Sequence, residues 1–194
     1  MVFFLLLGVA VNKEIYLKLN LYTVDIKYIR DLHRVDDRVY SVSPQICKDK
    51  RVFVGVIVIC NTKKYIIPLS SVKIKHYKMK PCADFDKIYD KKGNLIAVLN
   101  FNLMIPVTDK QIQEVDLMIR HYDSPEEKAF KALCINEIEY CRKPHMSKII
   151  SDKAKNLYDL CTKDINYKGK IRCLDFEKLE MVCEKYNKRI QYKS

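Results

Sequence analysis

Hydrophobic positions change their period partway along this chain. Up to about residue 107 they alternate or run in short blocks, and beyond it they recur at three- and four-residue intervals. In "IYLKLNLYTV" the leucines 17, 19 and 21 share one face of a strand. "DIKYIRDLHRV" then sets Ile26, Ile29 and Leu32 at helical spacing behind a capping Asp25. "RVFVGVIVIC" is a β-branched strand that "NTKK" turns back into "YIIPL", and "SVKIKHYKM" reads as its continuation. "FDKIYD", the turn "KKGN" and "LIAVLNFNLMI" make a second hairpin.

Helical signals dominate from there. Thr108 with Gln111 reads as a capping box ahead of a helix in "KQIQEVDLMIR". Ser124, Pro125 and Glu127 open a clearer helix in "EEKAFKALCINEIEYC". Two more cover "MSKIISDKAKNLYDLC" and "DFEKLEMVCEKY", the last with Phe176, Leu179, Cys183 and Tyr186 inward. No repeat or linker interrupts the pattern. The expectation is a single α+β domain, a mostly antiparallel sheet from the first half with helices packed on it from the second.

Composition narrows the class. The chain has 194 residues, enough for a real core, and 48% of them are hydrophobic, which excludes a disordered protein. Eight cysteines form no CxxC pair, and the four histidines are scattered, so zinc spacing is absent. They read as buried thiols in a reducing compartment, with a secreted disulfide protein as the rival. The apolar run at residues 3–11 lacks a preceding Lys or Arg and a following A-x-A site, and it is too short to span a bilayer. It reads as a buried first strand or as an extension from an upstream start codon.

Net charge is +12, from 36 Lys+Arg against 24 Asp+Glu, and it points to a polyanionic partner. The surplus is local. Residues 61–79 carry Lys63, Lys64, Lys73, Lys75 and Lys78 with no acid, whereas "SPEEKAFKALCINEIEYCRK" mixes signs. Within that basic region "PLSSVKIKHYKMK" joins Ser70 and Ser71 to four lysines, the last being Lys80, and to His76.

Hydroxyls that donate to phosphate oxygens and lysines that neutralise them can hold a phosphodiester. Cleaving RNA needs little more. The ribose 2′-OH is the nucleophile, so the protein removes its proton, protonates the leaving 5′-oxygen and stabilises the phosphorane. A lysine crowded by lysines is a candidate base, since like charges disfavour its protonated form, and His76 is a candidate acid. Taken singly, each group is more often structural. Ser70-Ser71-Val72-Lys73 also satisfies S-x-x-K, but no K-T-G element accompanies it. There is no P-loop, G-x-G-x-x-G or G-x-S-x-G, and no paired carboxylates in a metal-binding context, so no metal or cofactor is expected. The alternative is a basic RNA-binding module without catalysis.

"LYTVDIKYIRDLHRVDDRV", "RVFVGVIVI", "KKYIIPLSSVKIKH" and "NFNLMIPV" resemble, in this order, the successive blocks of the ToxN-type (AbiQ/CptN-like) endoribonuclease toxins of type III toxin–antitoxin systems. A weaker likeness continues in "RCLDFEKLEMVCEKY". The P-L-[ST]-S-x-K-x-x-H block is the most specific. The resemblance implies one toxin domain over residues 17–194, with residues 1–16 as an extension, and a strongly twisted, MazF/Kid-like antiparallel sheet. It implies metal-independent, sequence-specific RNA cleavage leaving 2′,3′-cyclic phosphate and 5′-OH ends, in the bacterial cytoplasm. It also implies inhibition by a repeated pseudoknot RNA antitoxin that the toxin processes and binds in a closed assembly. Cellular or phage mRNA would be the other partner, and no membrane would be involved.

Carried over by position, Ser71 matches the essential serine, Ser70 the neighbouring hydroxyl, Lys73 the catalytic lysine and His76 the histidine three residues on. Arg51, with Lys50 beside it, takes the place of the basic residue before the F-[VI]-G strand. An arginine suits phosphate binding rather than proton removal, which leaves Lys50 or Lys73 as the base. The family's upstream tyrosine has Tyr40 as nearest counterpart, although ungapped alignment lands on Cys47. Lys63, Lys64, Lys75, Lys78, Lys80 and Tyr40 complete the expected RNA-binding set.

Overall fold

A computed structural model describes residues 19–39 and 54–191. Tyr40, Cys47, Lys50, Arg51 and the expected extension over residues 1–16 lie outside the described residues.

The first half builds the sheet, as the alternating pattern requires. Strand β1 (Leu21–Val24) is followed by helix α1 (Ile26–His33), capped by Asp25, whose side chain accepts from the Lys27 N–H at 2.7 Å. Ile29 and Leu32 face inward as expected, but Ile26 is 46% exposed and Tyr28 takes the buried place instead. Strand β2 (Val54–Cys60) and strand β3 (Lys63–Ser71) form a hairpin whose turn residues Asn61 and Thr62 both adopt positive φ. Strand β4 (Phe85–Tyr89) and strand β5 (Leu95–Asn100) form the second hairpin.

At Gly55, β2 leaves no room for a side chain against β3. A Cβ there would lie 2.3 Å from the Ile67 carbonyl oxygen, so only glycine lets the two strands approach.

Three segments depart from the sequence pattern. "LIAVLNFNLMI" is not one strand: the chain leaves the ladder in a 3₁₀ turn (Phe101–Leu103) before strand β6 (Ile105–Val107). There the Phe101 N–H bonds the Asp84 carbonyl and the Asn102 carbonyl accepts from Leu174 N–H, so tertiary bonds replace ladder bonds. Thr108 and Gln111 close a turn rather than open a helix. Gln111 Oε1 accepts from the Thr108 N–H at 2.7 Å, and strand β7 (Ile112–Glu114) then pairs with the edge of β1. An unpaired sheet edge outweighs a local capping motif. Lastly, "SVKIKHYKM" does not extend β3 but turns into the short helix α2 (Ile74–Lys78).

The sheet runs β4-β5-β3-β2-β1-β7, all pairs antiparallel, with β6 also on β3. Strand β3 changes partner along its length: Lys64–Ile66 pair with β6, and Leu69–Ser71 pair with β5. The helices α3 (Pro125–Cys141), α4 (Pro144–Lys163) and α5 (Phe176–Gln191) follow the second-half pattern, and Ser124 and Glu127 form the reciprocal cap of α3. Phe176, Leu179, Cys183 and Tyr186 are all buried, as their spacing predicts. The seven described cysteines are free thiols, six of them buried and Cys82 exposed. No helix among the described residues is long and apolar enough to cross a membrane.

Helix α3 also buries a carboxyl group. Glu137, between Cys134 and Cys141, is pushed up from the ordinary 4.5 to about 7 by burial. The folded protein thus holds this proton more tightly than the unfolded chain. The corresponding stability is complete below about pH 4.5 and is lost as pH rises through about 7. Glu137→Gln should therefore raise stability by about 3 kcal/mol at pH 8 and change it little at pH 4.5. Urea denaturation at the two pH values checks this, and an equal effect at both would rule it out.

Candidate active site

Residues of the basic stretch meet at the last three residues of β3 and the turn into α2. Ser70 pairs across the sheet with Val98 of β5, which pairs in turn with Lys87 of β4. Since strand residues alternate faces, Ser70, Val98 and Lys87 share one face with Asn100 and Phe85. Asn100 Nδ2 donates to Ser70 Oγ at 2.9 Å, leaving the serine its own proton to donate. Ser71 belongs to the opposite face by the same alternation. It is exposed at the strand end and makes no side-chain hydrogen bond among the described residues.

The α2 turn lies over the Ser70 face. Val98 and Phe85 are buried there, apart from the main core, and the His76 ring packs on Phe85 with centroids 5.6 Å apart. Only 5% of His76 is exposed. Its Nδ1 accepts the Lys73 backbone N–H at 3.0 Å, which puts the proton of the neutral ring on Nε2. Burial, reinforced by the charges of Lys75, Lys73 and Lys87, holds the imidazole below its ordinary value. In this geometry His76 fixes the backbone at Lys73 and is neutral near pH 7. The proton-donating role expected of it requires Nε2–H or a charge brought by the substrate.

Lys73 itself sits at the N-cap of α2 with its side chain exposed. Lys75, Lys78 and Lys80 are exposed nearby, and none of the four makes an ion pair among the described residues. Lys63 and Lys64 differ. They begin β3, about 26 Å of strand from Ser71. Lys63 Nζ lies 2.5 Å from Glu180 and 3.5 Å from Glu184, and Lys64 Nζ lies 2.6 Å from Asp109. The structure therefore gathers Ser70, Ser71, Lys73, His76, Lys75, Lys78 and Lys80 at one end of β3 and leaves Lys63 and Lys64, already neutralised, at the other.

Two residues on the Ser70 face carry no signal in the sequence, Asn100 and Lys87. A lone asparagine or lysine at a strand position carries no signal; only the pairing β3–β5–β4 brings them to the face of the sheet that holds Ser70. No group of three or more His, Cys, Asp or Glu side chains is placed to hold a metal ion among the described residues.

The chain and its fold have counterparts. A family model described as toxin ToxN of the type III toxin–antitoxin system matches residues 20–184. The chain is 28% identical over 181 residues to endoribonuclease ToxN of Bacillus thuringiensis subsp. kurstaki, spanning 89% of this chain and 86% of that protein. It is 27% identical over 99 residues to endoribonuclease ToxN of Pectobacterium atrosepticum, half of this chain and 58% of that one. Among solved structures, AbiQ, a lactococcal anti-phage endoribonuclease, superposes with a TM-score of 0.73 at 20% identity, over 88% of this chain and 98% of AbiQ. A type III toxin studied for its selective inhibition by a non-coding RNA pseudoknot superposes at 0.71 with 24% identity, over 87% and 98% of the two chains. These superpositions show a common fold, and the family match spans residues 20–184: the chain belongs to the ToxN family of type III toxin–antitoxin toxins.

Proposed function

We propose that this chain is a metal-independent endoribonuclease whose activity is held in check by a pseudoknot RNA antitoxin. The observation that carries the reading is the contrast along β3. Its far end has lysines neutralised by acids, while the Ser70–Ser71 end presents hydroxyls and lysines without acidic partners among the described residues. An unneutralised cluster of donors is what a phosphodiester requires, and it attracts RNA of either kind, antitoxin or message.

The chemistry follows from the substrate. The ribose 2′-OH gives its proton to Lys50 or Lys73, its oxygen attacks the adjacent phosphorus, and the 5′-oxygen leaves with a proton from His76, giving a 2′,3′-cyclic phosphate and a 5′-OH. Ser71 donates to a non-bridging oxygen and Lys73 neutralises the growing charge of the phosphorane. Ser70, held by Asn100, supplies a second hydroxyl on the other face of the strand end. Lys50 and Arg51 enter this proposal through sequence likeness alone, as the neighbouring cations. Bound phosphate charge would favour protonation of His76, coupling substrate binding to its role as acid.

Purified protein with excess EDTA, given RNA and the matching all-deoxy strand, tests the reading. Cutting confined to RNA, with cyclic-phosphate and 5′-OH ends, is the expected result. Cutting of the deoxy strand, or dependence on added magnesium, would sink the mechanism. Binding without cutting would return the site to a basic RNA-binding surface.

A further inference from the structure

Next to the site, on the same side of the sheet, α2 and the β4–β5 hairpin enclose a cavity of about 370 Å³. Tyr77, Lys87, Tyr89, Gly93, Asn94 and Leu95 line it. Its volume lies at the small end of ligand sites, which run from about 300 to 1,000 Å³, and suits a single nucleotide unit.

Lys87 is the unusual member. Only 7% of it is exposed, and lysines are seldom buried to that degree without an acid beside them. The adjacent Asp86 is taken by Lys153, whose Nζ lies 2.7 Å from its carboxylate. Among the described residues the Lys87 ammonium makes one hydrogen bond, to the Tyr77 carbonyl at 3.3 Å. A buried cation that lines a cavity and has, among the described residues, only a long bond to a neutral oxygen is suited to receive an anion.

The tyrosines supply the other half. Tyr77 is 65% exposed on α2, an aromatic ring left on the surface beside the phosphate site. Tyr89 is held on one side by Tyr140, the rings 6.1 Å apart, and borders the cavity on another. No atom lies within 4 Å of where a Gly93 Cβ would be, so the hairpin turn leaves the cavity open. Aromatic faces beside a cation are how proteins hold an unstacked base and its phosphate. Lys87 and Ser70 are two strand spacings apart on one face, about 10 Å, close enough to serve neighbouring nucleotides of one strand.

We infer that the Tyr77–Lys87–Tyr89 cavity is a base-and-phosphate subsite for a nucleotide flanking the scissile step, stacking its base on Tyr77 and placing its phosphate on Lys87. The inference rests on the endoribonuclease reading and specifies where that enzyme grips its substrate beyond the cut.

The test uses the full chain and a short single-stranded RNA containing one mapped cleavage site, plus versions with an abasic ribose at each flanking position. Tyr77→Ala, on an exposed ring, should lower kcat/KM by between about 5- and 150-fold, the range for one stacked base. Tyr77→Phe should restore it. At one flanking position the abasic substitution should cost wild type the same factor and cost Tyr77→Ala nothing further. Losses that multiply at every position would overturn the subsite. Lys87→Met should flatten the salt dependence of binding by about one unit of slope. An unchanged slope in a folded variant counts against the phosphate contact. Should wild type bind the RNA without cutting it, the endoribonuclease reading fails, while the same comparison made in Kd still decides the subsite.

Discussion

Ser71→Ala is expected to reduce RNA cleavage by about 10²–10³-fold while RNA affinity and thermal unfolding stay close to wild type. The magnitude is that of one preorganised donor to a developing oxyanion, about 2.7–4 kcal/mol in the barrier. The fold should not notice, because Ser71 is exposed, ends its strand, and its side chain makes no hydrogen bond among the described residues. Lys73→Ala should cost a comparable factor, with a gradual loss of affinity added because it also removes a cation. Single-turnover kinetics separate the two contributions. The double variant is expected to be little worse than the poorer single one, since both groups stabilise the same phosphorane. Full activity in Ser71→Ala would remove the serine from the mechanism, and independent, multiplying losses would remove the shared transition state.

The second large effect is on stability, at the other end of β3. Glu180 is buried and accepts from the Tyr65 hydroxyl at 2.7 Å and the Tyr158 hydroxyl at 3.0 Å, besides its ion pair with Lys63. Tyr65 is fully buried, edge-on to both Tyr158 and Phe176, and burial followed by the Glu180 carboxylate pushes its hydroxyl far above the ordinary range. Glu180→Ala leaves two hydroxyls without an acceptor, at about 1–3 kcal/mol each, and adds a cavity. A loss of about 3–5 kcal/mol in urea denaturation is the expected outcome. Lys63 is partly exposed and keeps Glu184 within reach, so its charge adds little to the cost. Glu180→Gln, which preserves an acceptor oxygen, should lose less than half as much. A cost below about 1 kcal/mol for the alanine variant would show that water replaces the carboxylate.

The sequence by itself determined the elements that owe their form to local chemistry. The β-branched run of β2 has few conformations besides a strand. Ser124 and Glu127 satisfy each other's backbone donors and so start α3 wherever it lies. The four inward residues of α5 follow from helical period alone. The serine–lysine–histidine stretch was legible for the same reason: its residues are contiguous, and their charge is visible without coordinates.

Tertiary structure decided whatever depends on residues distant in sequence. Thr108 and Gln111 have capping chemistry, but the open edge of β1 took the following residues into the sheet. The strand expected to run through "SVKIKHYKM" gave way to α2, because His76 buries itself on Phe85 and holds the Lys73 backbone. Six lysines looked alike in the sequence. Acids as far away as Asp109 and Glu180 neutralise two of them, and the other four stay unpaired among the described residues. Asn100 meets Ser70, and Lys87 joins its face, only across strand ladders, so no local pattern announces them. Propensity and capping act over about one turn of chain, whereas charge pairing and burial are set by whichever segments the fold brings together.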